Sequence, residues 1–428
     1  MKKILLIFTF VLISNLIFSQ DKEEQYPLAT IYPHQIYGHK INHFFLDLKG
    51  GENKVSNKQK AILFFQNNDM DGIRINIHGE KKKPAHPALG IVDSTYYVKM
   101  LKSIRNAKAA RGDKPFYIFA SKKLTAKTSF PDWVKDKDGV IPSKYVDLLI
   151  DYFKFMKAKG ISIDYLGIDN EINFNEGNIT PDKFNEIVIL FREKCKENHI
   201  AIPKIVGPDR YEPMGDKKNC WIREFLDKGY GNQLDIYGTH YYPEHRYKNR
   251  LIYELGLIGK RPFWATEPHW TSPSKTGSIF NSAEQAICTL WDQTDLGMSA
   301  FMWWGDGSGK SKTQYMRNEV SIPIHGAQPV LMTDYDGIST KTYGNIQSRA
   351  FIHNNILEVY FINNSMKQFK EFKIKINSEK IKKYINVKQF TLTGPNKGVD
   401  EAITPSSDNS FTCEIPAISL THCTIELR

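Results

Sequence analysis

The chain has few cysteines, and they are badly placed for either a disulfide framework or a zinc site. The five (Cys195, Cys220, Cys288, Cys413 and Cys423) are odd in number, scattered, and form no C-x-x-C pair. Cys413 and Cys423 fall on strands expected to be neighbours and could pair, but buried thiols are the preferred reading. No H-E-x-x-H helix is present, which removes the common zinc-hydrolase signature. His240, His245 and His269 are the histidines nearest to a ligand set. Two of them are five residues apart around Pro243, so neither a metal nor any other cofactor is expected. No glycine-rich loop opens a helix to cradle a phosphate, and no internal repeat or low-complexity linker interrupts the chain. Beyond the first twenty residues, nothing approaches the roughly 20 apolar residues that a membrane span requires.

Those first twenty residues form a recognisable unit. Lys2 and Lys3 precede an apolar run from Ile4 to Phe18, and Ser19-Gln20 give way to Asp21-Lys22-Glu23-Glu24. This order is that of a secretory signal peptide, with no cysteine nearby for lipid attachment. The protein is therefore expected to be secreted or periplasmic, without a stable membrane anchor. The formal net charge is +11, of which Lys2 and Lys3 supply two. Such a basic excess on an exported chain suggests an acidic partner. Nucleic acid is not expected, because no basic stripe with interleaved aromatics marks a recognition module.

From about residue 60 to 305, short apolar runs alternate with amphipathic helical stretches. Strands are expected at Gly72-Ile77, Phe116-Ala120, Tyr165-Asp169, Lys204-Gly207, Ile236-Thr239, Pro262-Thr266 and Ser299-Trp303, with an earlier one near Phe44-Leu48. Helices are expected at Tyr145-Lys159, Asp182-Asn198 and Ala283-Leu296; the middle one starts with Thr180 as N-cap and Pro181 in the first turn. Eight strands in steady alternation with helices predict a (β/α)8 barrel over 44–342. A doubly wound sheet is the structural alternative. After about Tyr343 the texture becomes short strands between Asn, Ser, Gly and Pro turns, predicting an antiparallel β-sandwich over 343–428. The segment 21–43 is expected to add a strand to that sandwich.

Active sites of such barrels lie at the C-terminal ends of the strands. Two glutamates terminate expected strands there: Glu171 after the fourth, within Tyr165-Leu-Gly-Ile-Asp-Asn-Glu171, and Glu267 after the seventh, within Pro262-Phe-Trp-Ala-Thr-Glu267. Strands four and seven face each other across the mouth. Glycosidic cleavage needs such a pair, one carboxyl to protonate the leaving oxygen and one to meet the oxocarbenium-like carbon.

Asn170-Glu171 with Glu267 resembles clan A of the retaining glycoside hydrolases, and within it most closely family 30. The likeness extends through Phe119-Ala-Ser121, Pro131-Asp-Trp133-Val-Lys135, Ile161-Ser-Ile-Asp164, Thr239-His240-Tyr241-Tyr242, Thr266-Glu267, and Tyr343 followed by Gln347-Ser348-Arg349. The resemblance implies a retaining β-glycosidase acting on a polysaccharide or oligosaccharide, with Glu171 as acid/base and Glu267 as nucleophile. It further implies that Asn170 bonds the sugar 2-hydroxyl, Arg74 keeps Glu267 ionised, and His240 and Tyr242 line the sixth strand end. Trp303 or Trp304 would floor the central subsite.

The chain departs from the family after the third strand, where Ser121-Lys-Lys-Leu-Thr-Ala-Lys127 stands in place of further tryptophans and prolines. Lys122, Lys123, Arg210 and Arg246 fall with Lys81-Lys82-Lys83 in loops that open on the catalytic face. They are expected to form a cationic rim for a sulfated or uronate-bearing substrate. The non-enzyme alternative is a carbohydrate-binding protein on an inactive barrel.

Overall fold

The computed structural model describes residues 28–49, 51–67, 69–79, 83–122, 130–172, 179–210, 220–241, 248–259, 261–268, 279–303, 312–333, 342–343, 346–377, 379–391 and 399–428. Eight strands close into a barrel: His43–Asp47, Gly72–Ile77, Tyr117–Lys122, Tyr165–Gly167, Lys204–Arg210, Ile236–Tyr241, Phe263–Pro268 and Met298–Trp303. They are called barrel strands one to eight below. All eight segments expected to be strands take part, with ends shifted by a few residues, and every pairing is parallel. The intervening helices include Pro142–Ala158, Pro181–Glu197 and Ile279–Asp295. Thr180 caps the second of these, its hydroxyl accepting from the Lys183 N–H at 3.3 Å, with Pro181 in the first turn.

Side chains on a strand alternate between faces, so each barrel strand divides its residues between two cores. Phe45, Phe119, Tyr165, Val206, Ile236, Trp264, Ala300 and Met302 fill the barrel interior. Phe44, Leu46, Ile73, Ile75, Ile77, Ile118, Ala120 and Leu166 pack outward against the helices. Close packing inside leaves no room at some positions. A Cβ on Gly72 would fall 2.4 Å from the Phe45 ring, and one on Gly167 would fall 2.9 Å from the Ser121 Cβ.

The second body is a ten-stranded, sandwich-like sheet around its own core of Ile31, Val330, Val359, Phe361, Phe372, Ile374, Phe411 and their neighbours. Its order is Val399–Ile403, Ile381–Thr391, Ser419–Leu427, Ile356–Asn363, Ile346–His353, Gln328–Thr333, Leu28–Ile36, Phe369–Ile376 and Ser410–Ile415, with Thr342–Tyr343 beside Ile346–His353. Leu28–Ile36 lies inside this sheet, parallel to Phe369–Ile376 and antiparallel to Gln328–Thr333. The chain thus enters the sandwich one strand before the change in texture at Tyr343. Gln328–Thr333 follows a helix with no run of turn residues to mark the crossing.

Phe351, Tyr360, Ile362, Phe390 and Leu420 of the sandwich join the helix-side core of the barrel, so the two bodies share apolar packing. Arg349 adds a buried bidentate pair to Asp295 on helix Ile279–Asp295, at 3.1 and 2.9 Å, and Tyr37 donates to the same carboxylate at 2.8 Å. All five cysteines are free thiols, with Cys413 and Cys423 buried in the sandwich. Among the described residues, no helix is long and apolar enough to cross a membrane.

Candidate active site

Alternation brings Arg74 inward between the outward Ile73 and Ile75, and it is completely buried. Its guanidinium is the hub of the barrel mouth. Nη1 donates to Asp47 Oδ2 at 3.0 Å, to Glu267 Oε2 at 3.0 Å and to the Thr266 carbonyl at 2.8 Å. Nη2 donates to Asn170 Oδ1 at 2.8 Å and Asp209 Oδ2 at 2.5 Å, and Nε to Ser121 Oγ at 3.2 Å. One side chain therefore ties together the ends of barrel strands one, three, four, five and seven. Burial opposes the charge, but Asp209, Asp47 and Glu267 outweigh it and hold Arg74 above its ordinary range.

Two bulges aim the carboxylates. Against strand six, Ala265 opposes Thr239 and Glu267 opposes His240, leaving Thr266 as an extra residue. In strand five, Pro208 opposes Gly238 and Arg210 opposes Thr239, leaving Asp209 extra. Regular alternation would turn one of each adjacent pair outward; a bulge lets both Thr266 and Glu267 face the mouth. The Thr266 hydroxyl donates to Asp209 Oδ1 while Glu267 takes its bond from Arg74. Asp209 and Glu171 both adopt left-handed backbone, with φ of 54° and 53°. Such positions cost non-glycine residues about 1–3 kcal/mol each and collect at functional sites. The two are joined, since the Glu171 N–H donates to the Asp209 carbonyl at 2.8 Å.

His240, at the end of strand six, is fully buried between the two glutamates. Its Nδ1 is 3.4 Å from Glu171 Oε1, and its Nε2 is 3.4 Å from Glu267 Oε2 and 3.3 Å from Asp209 Oδ1. Burial pulls against protonation, but Glu267 and Asp209 overcome it and raise the ring to about 9. Glu267 is the converse. Burial would raise it, yet His240, Arg74 and Lys49 hold it below the usual carboxylate range. One carboxylate oxygen of Glu171, one of Glu267 and one ring nitrogen of His240 all lie within 4.8 Å of one another. Asn170 is buried beside them. Arg74 occupies its amide oxygen, which leaves the amide NH2 as the edge for a ligand.

Glu171, His240 and Glu267 are also the one grouping of metal-ligating types among the described residues. A cation placed there would compete with the Arg74 guanidinium, which already holds Glu267 at 3.0 Å.

Two expected rim cations lie in the interior. Lys122 is 1% exposed, with its ammonium 3.1 Å from Asp169 Oδ1 and 3.9 Å from the centre of the Phe130 ring. Ser121 faces inward to Arg74, so the next residue must face the helices. Arg210 is likewise buried and sits beside Glu254, Tyr237 and Cys220, behind the strands. Both are packed away from the mouth, on the helix side of the strands. Tyr242, Trp304, Lys123 and Arg246 lie outside the described residues, as does the side chain of Trp303, whose backbone ends strand eight. The residues that the sequence reading missed are Asp47, Asp209 and Lys49. Asp47 ends the first strand and Asp209 ends the fifth in Val206-Gly-Pro-Asp-Arg210, a position that should have drawn notice.

No family model matches the chain and no curated protein is similar to it in sequence. Solved structures are similar to it over its whole fold. A family 30 endoxylanase from Clostridium papyrosolvens C71 matches with a TM-score of 0.69 at 16% identity, covering 93% of this chain and 99% of its own. A conserved exported protein from Bacteroides fragilis matches at 0.67 and 16%, covering 93% and 100%. An endo-β1,6-glucanase matches at 0.64 and 14%, covering 93% of each chain. The protein has the barrel-and-sandwich fold of the family 30 glycoside hydrolases.

Proposed function

We propose that this protein is an exported retaining β-glycoside hydrolase that cleaves a polysaccharide or oligosaccharide, with Glu171 as acid/base and Glu267 as nucleophile. One observation carries the reading: carboxylate oxygens of the two residues lie within 4.8 Å of each other. Direct attack and retention need carboxyls about 5 Å apart, whereas an intervening water needs roughly 6.5–9.5 Å. The environments also differ in the required sense, Glu267 being held ionised by His240 and Arg74. Polymeric carbohydrate as substrate is supported by the endoxylanase and the endo-β1,6-glucanase that share the fold. Export is supported by the signal-like first twenty residues.

In the first step a Glu267 oxygen attacks the anomeric carbon while Glu171 gives its proton to the departing glycosidic oxygen. The bond to the leaving alcohol breaks and a glycosyl ester forms on Glu267. In the second step Glu171 takes a proton from water, the water oxygen attacks the same carbon, and Glu267 leaves as carboxylate. Two inversions give retention. Asn170 donates its amide to the 2-hydroxyl, a contact that strengthens as charge develops at the neighbouring carbon.

The test is release of reducing ends from a matched panel of neutral and anionic polysaccharides, with anomeric configuration followed by NMR. Retained configuration, lost on Glu267→Gln, supports the assignment. An inverted product would sink it, and sugar binding with no turnover by the unaltered protein would indicate a binding protein instead.

A further inference from the structure

The mouth contains a cation with nothing to bond. Lys49 lies two residues beyond barrel strand one, and its backbone N–H donates to Asp47 Oδ1 at 2.6 Å, which pins the turn. Its Nζ is buried and has no hydrogen-bond partner among the described residues. Other basic groups nearby are committed. Arg74 is saturated, Lys54 donates to the Asp47 carbonyl at 2.8 Å, and Lys122 is paired with Asp169. Lys49 lies in the field of Arg74, Glu267, Asp209 and Asp47, and also in that of Asp169, without being bonded to any of these carboxylates.

Burying an ammonium with three unused donors is costly unless an acceptor arrives. Arg74 cannot accept, and the carboxylates around Lys49 are held elsewhere: Asp47 and Glu267 by Arg74, Asp209 by Arg74 and Thr266, Asp169 by Lys122. Charge decides what kind of acceptor fits. With Glu267 free, Arg74, His240 and Lys49 face three carboxylates, Asp47, Asp209 and Glu267. Esterification of Glu267 leaves this count unchanged, because Glu171 becomes a carboxylate as it gives up its proton, so the Lys49 donors stay unused through the reaction unless the substrate supplies an acceptor. A carboxylate or sulfate on the sugar offsets the burial of that ammonium better than a hydroxyl does, because a hydrogen bond between two ionised groups is about twice as strong as one between neutral groups.

We propose that Lys49 is a specificity-determining residue of the subsite over Glu267, donating from its ammonium to an anionic substituent, carboxylate or sulfate, on the sugar bound there. The assignment rests on the glycosidase reading above. It replaces the buried Lys122 and Arg210 as the described group that would recognise charge.

The experiment compares kcat/KM of the full-length enzyme on paired oligosaccharides, uronate-bearing against carboxyl-reduced and sulfated against desulfated, with and without Lys49→Met. The expected result is that the loss on the anionic member of one pair exceeds the loss on its neutral partner by about 30-fold or more, the shared part being what Lys49 does to keep Glu267 ionised. The pair that responds identifies carboxylate or sulfate. Equal losses on both members, or an unchanged anionic-to-neutral ratio, would overturn the proposal and leave Lys49 as a counter-charge for Glu267. If the unaltered enzyme cleaves none of these oligosaccharides, or any other glycan, the glycosidase reading itself fails. Cleavage of only neutral sugars overturns the Lys49 assignment alone.

A pH profile of the unaltered enzyme gives a second reading that does not depend on the variant folding. Burial and Arg74 lower the Lys49 ammonium to about 8. The anionic-to-neutral ratio should fall as pH rises through that value, although a bound anion moves the midpoint upward. His240 and the carboxylates Asp47, Asp169, Asp209, Glu171 and Glu267 act on both substrates of a pair, so their titration cancels in the ratio. A flat ratio across this range in an enzyme that prefers the anionic member would count against Lys49.

Discussion

The barrel carries a charge cluster at each end, and the two are built differently. At the base, where the strands begin, every charge has a close partner. His43 Nδ1 is 2.7 Å from Asp71, the Phe44 N–H donates to the same carboxylate at 3.0 Å, and Arg111 meets Asp69 at 2.5 Å. His325 bridges Asp69 at 3.0 Å and the Asn42 carbonyl at 3.0 Å. At the mouth, three carboxylates crowd around Arg74, His240 stands at 3.3–3.4 Å from oxygens of Glu171, Asp209 and Glu267, and Lys49 has no bond for its ammonium. Glu171 and Asp209 add backbone strain there. The base spends its charges on holding the chain. The mouth keeps charges close but incompletely matched, which stores interaction for a ligand.

The comparison breaks most visibly at Glu267. Glu267→Gln keeps the shape and a partner for Arg74, and it should cut kcat by about 10⁴-fold or more while leaving the denaturation midpoint nearly unchanged. Single-turnover kinetics and urea unfolding check the two halves of that statement; a large stability change would mean that the mouth is structural after all. Arg74→Met comes next, because it leaves Asp47, Asp209 and Glu267 buried without their shared cation. A loss of about 3–5 kcal/mol in unfolding free energy is expected together with loss of turnover. A smaller effect is expected at Lys122→Met, which strips the buried Asp169 of its partner: about 3 kcal/mol of stability is lost. The salt dependence of kcat/KM should not change, since Lys122 faces the helices; a flattened salt dependence would restore it as a substrate contact.

How much of this could be read in the sequence follows from which rules are local. Eight strands and the helices between them were legible because apolar runs, Thr180-Pro181 and turn clusters act over a few residues. Glu171 and Glu267 were legible because each lies at or just beyond the C-terminal end of a strand. The direction of a side chain at a strand end was not, since a one-residue bulge reverses it. Arg210 is turned to the interior in this way by the bulge at Asp209, whereas Lys122 is buried because the third barrel strand runs on in regular alternation past the expected end at Ala120. The strained backbone at Asp209 and Glu171 left no mark, because neither is the glycine that would have signalled it. Lys49 was invisible for a different reason: among many lysines, only burial separates an unpartnered one from a solvated one. The crossing of Gln328–Thr333 into the sandwich depended on a partner strand, Leu28–Ile36, about 300 residues away.

The base offers the finest separation of the two ends, through pH. His325 is drawn down by burial but raised more by Asp69 and Asp71, to about 9 in the folded protein, from an ordinary value near 6.5. A group whose folded value is raised gives its full stabilisation below the unfolded value and loses it as pH climbs through the folded one. The imidazolium should therefore stabilise fully below about pH 6.5 and not at all above about 9. His325→Gln should cost about 2 kcal/mol at pH 6 and much less at pH 9.5, as measured by urea unfolding. His240 is raised to the same extent, so the unaltered protein loses stability in that window from both ends at once. The difference between the unaltered protein and the variant isolates the base. Because His325 lies at the opposite end of the strands from Glu171 and Glu267, kcat at pH 6 should be unaltered in the variant. A fall in kcat there would show that the two clusters are coupled through the barrel rather than built for separate tasks.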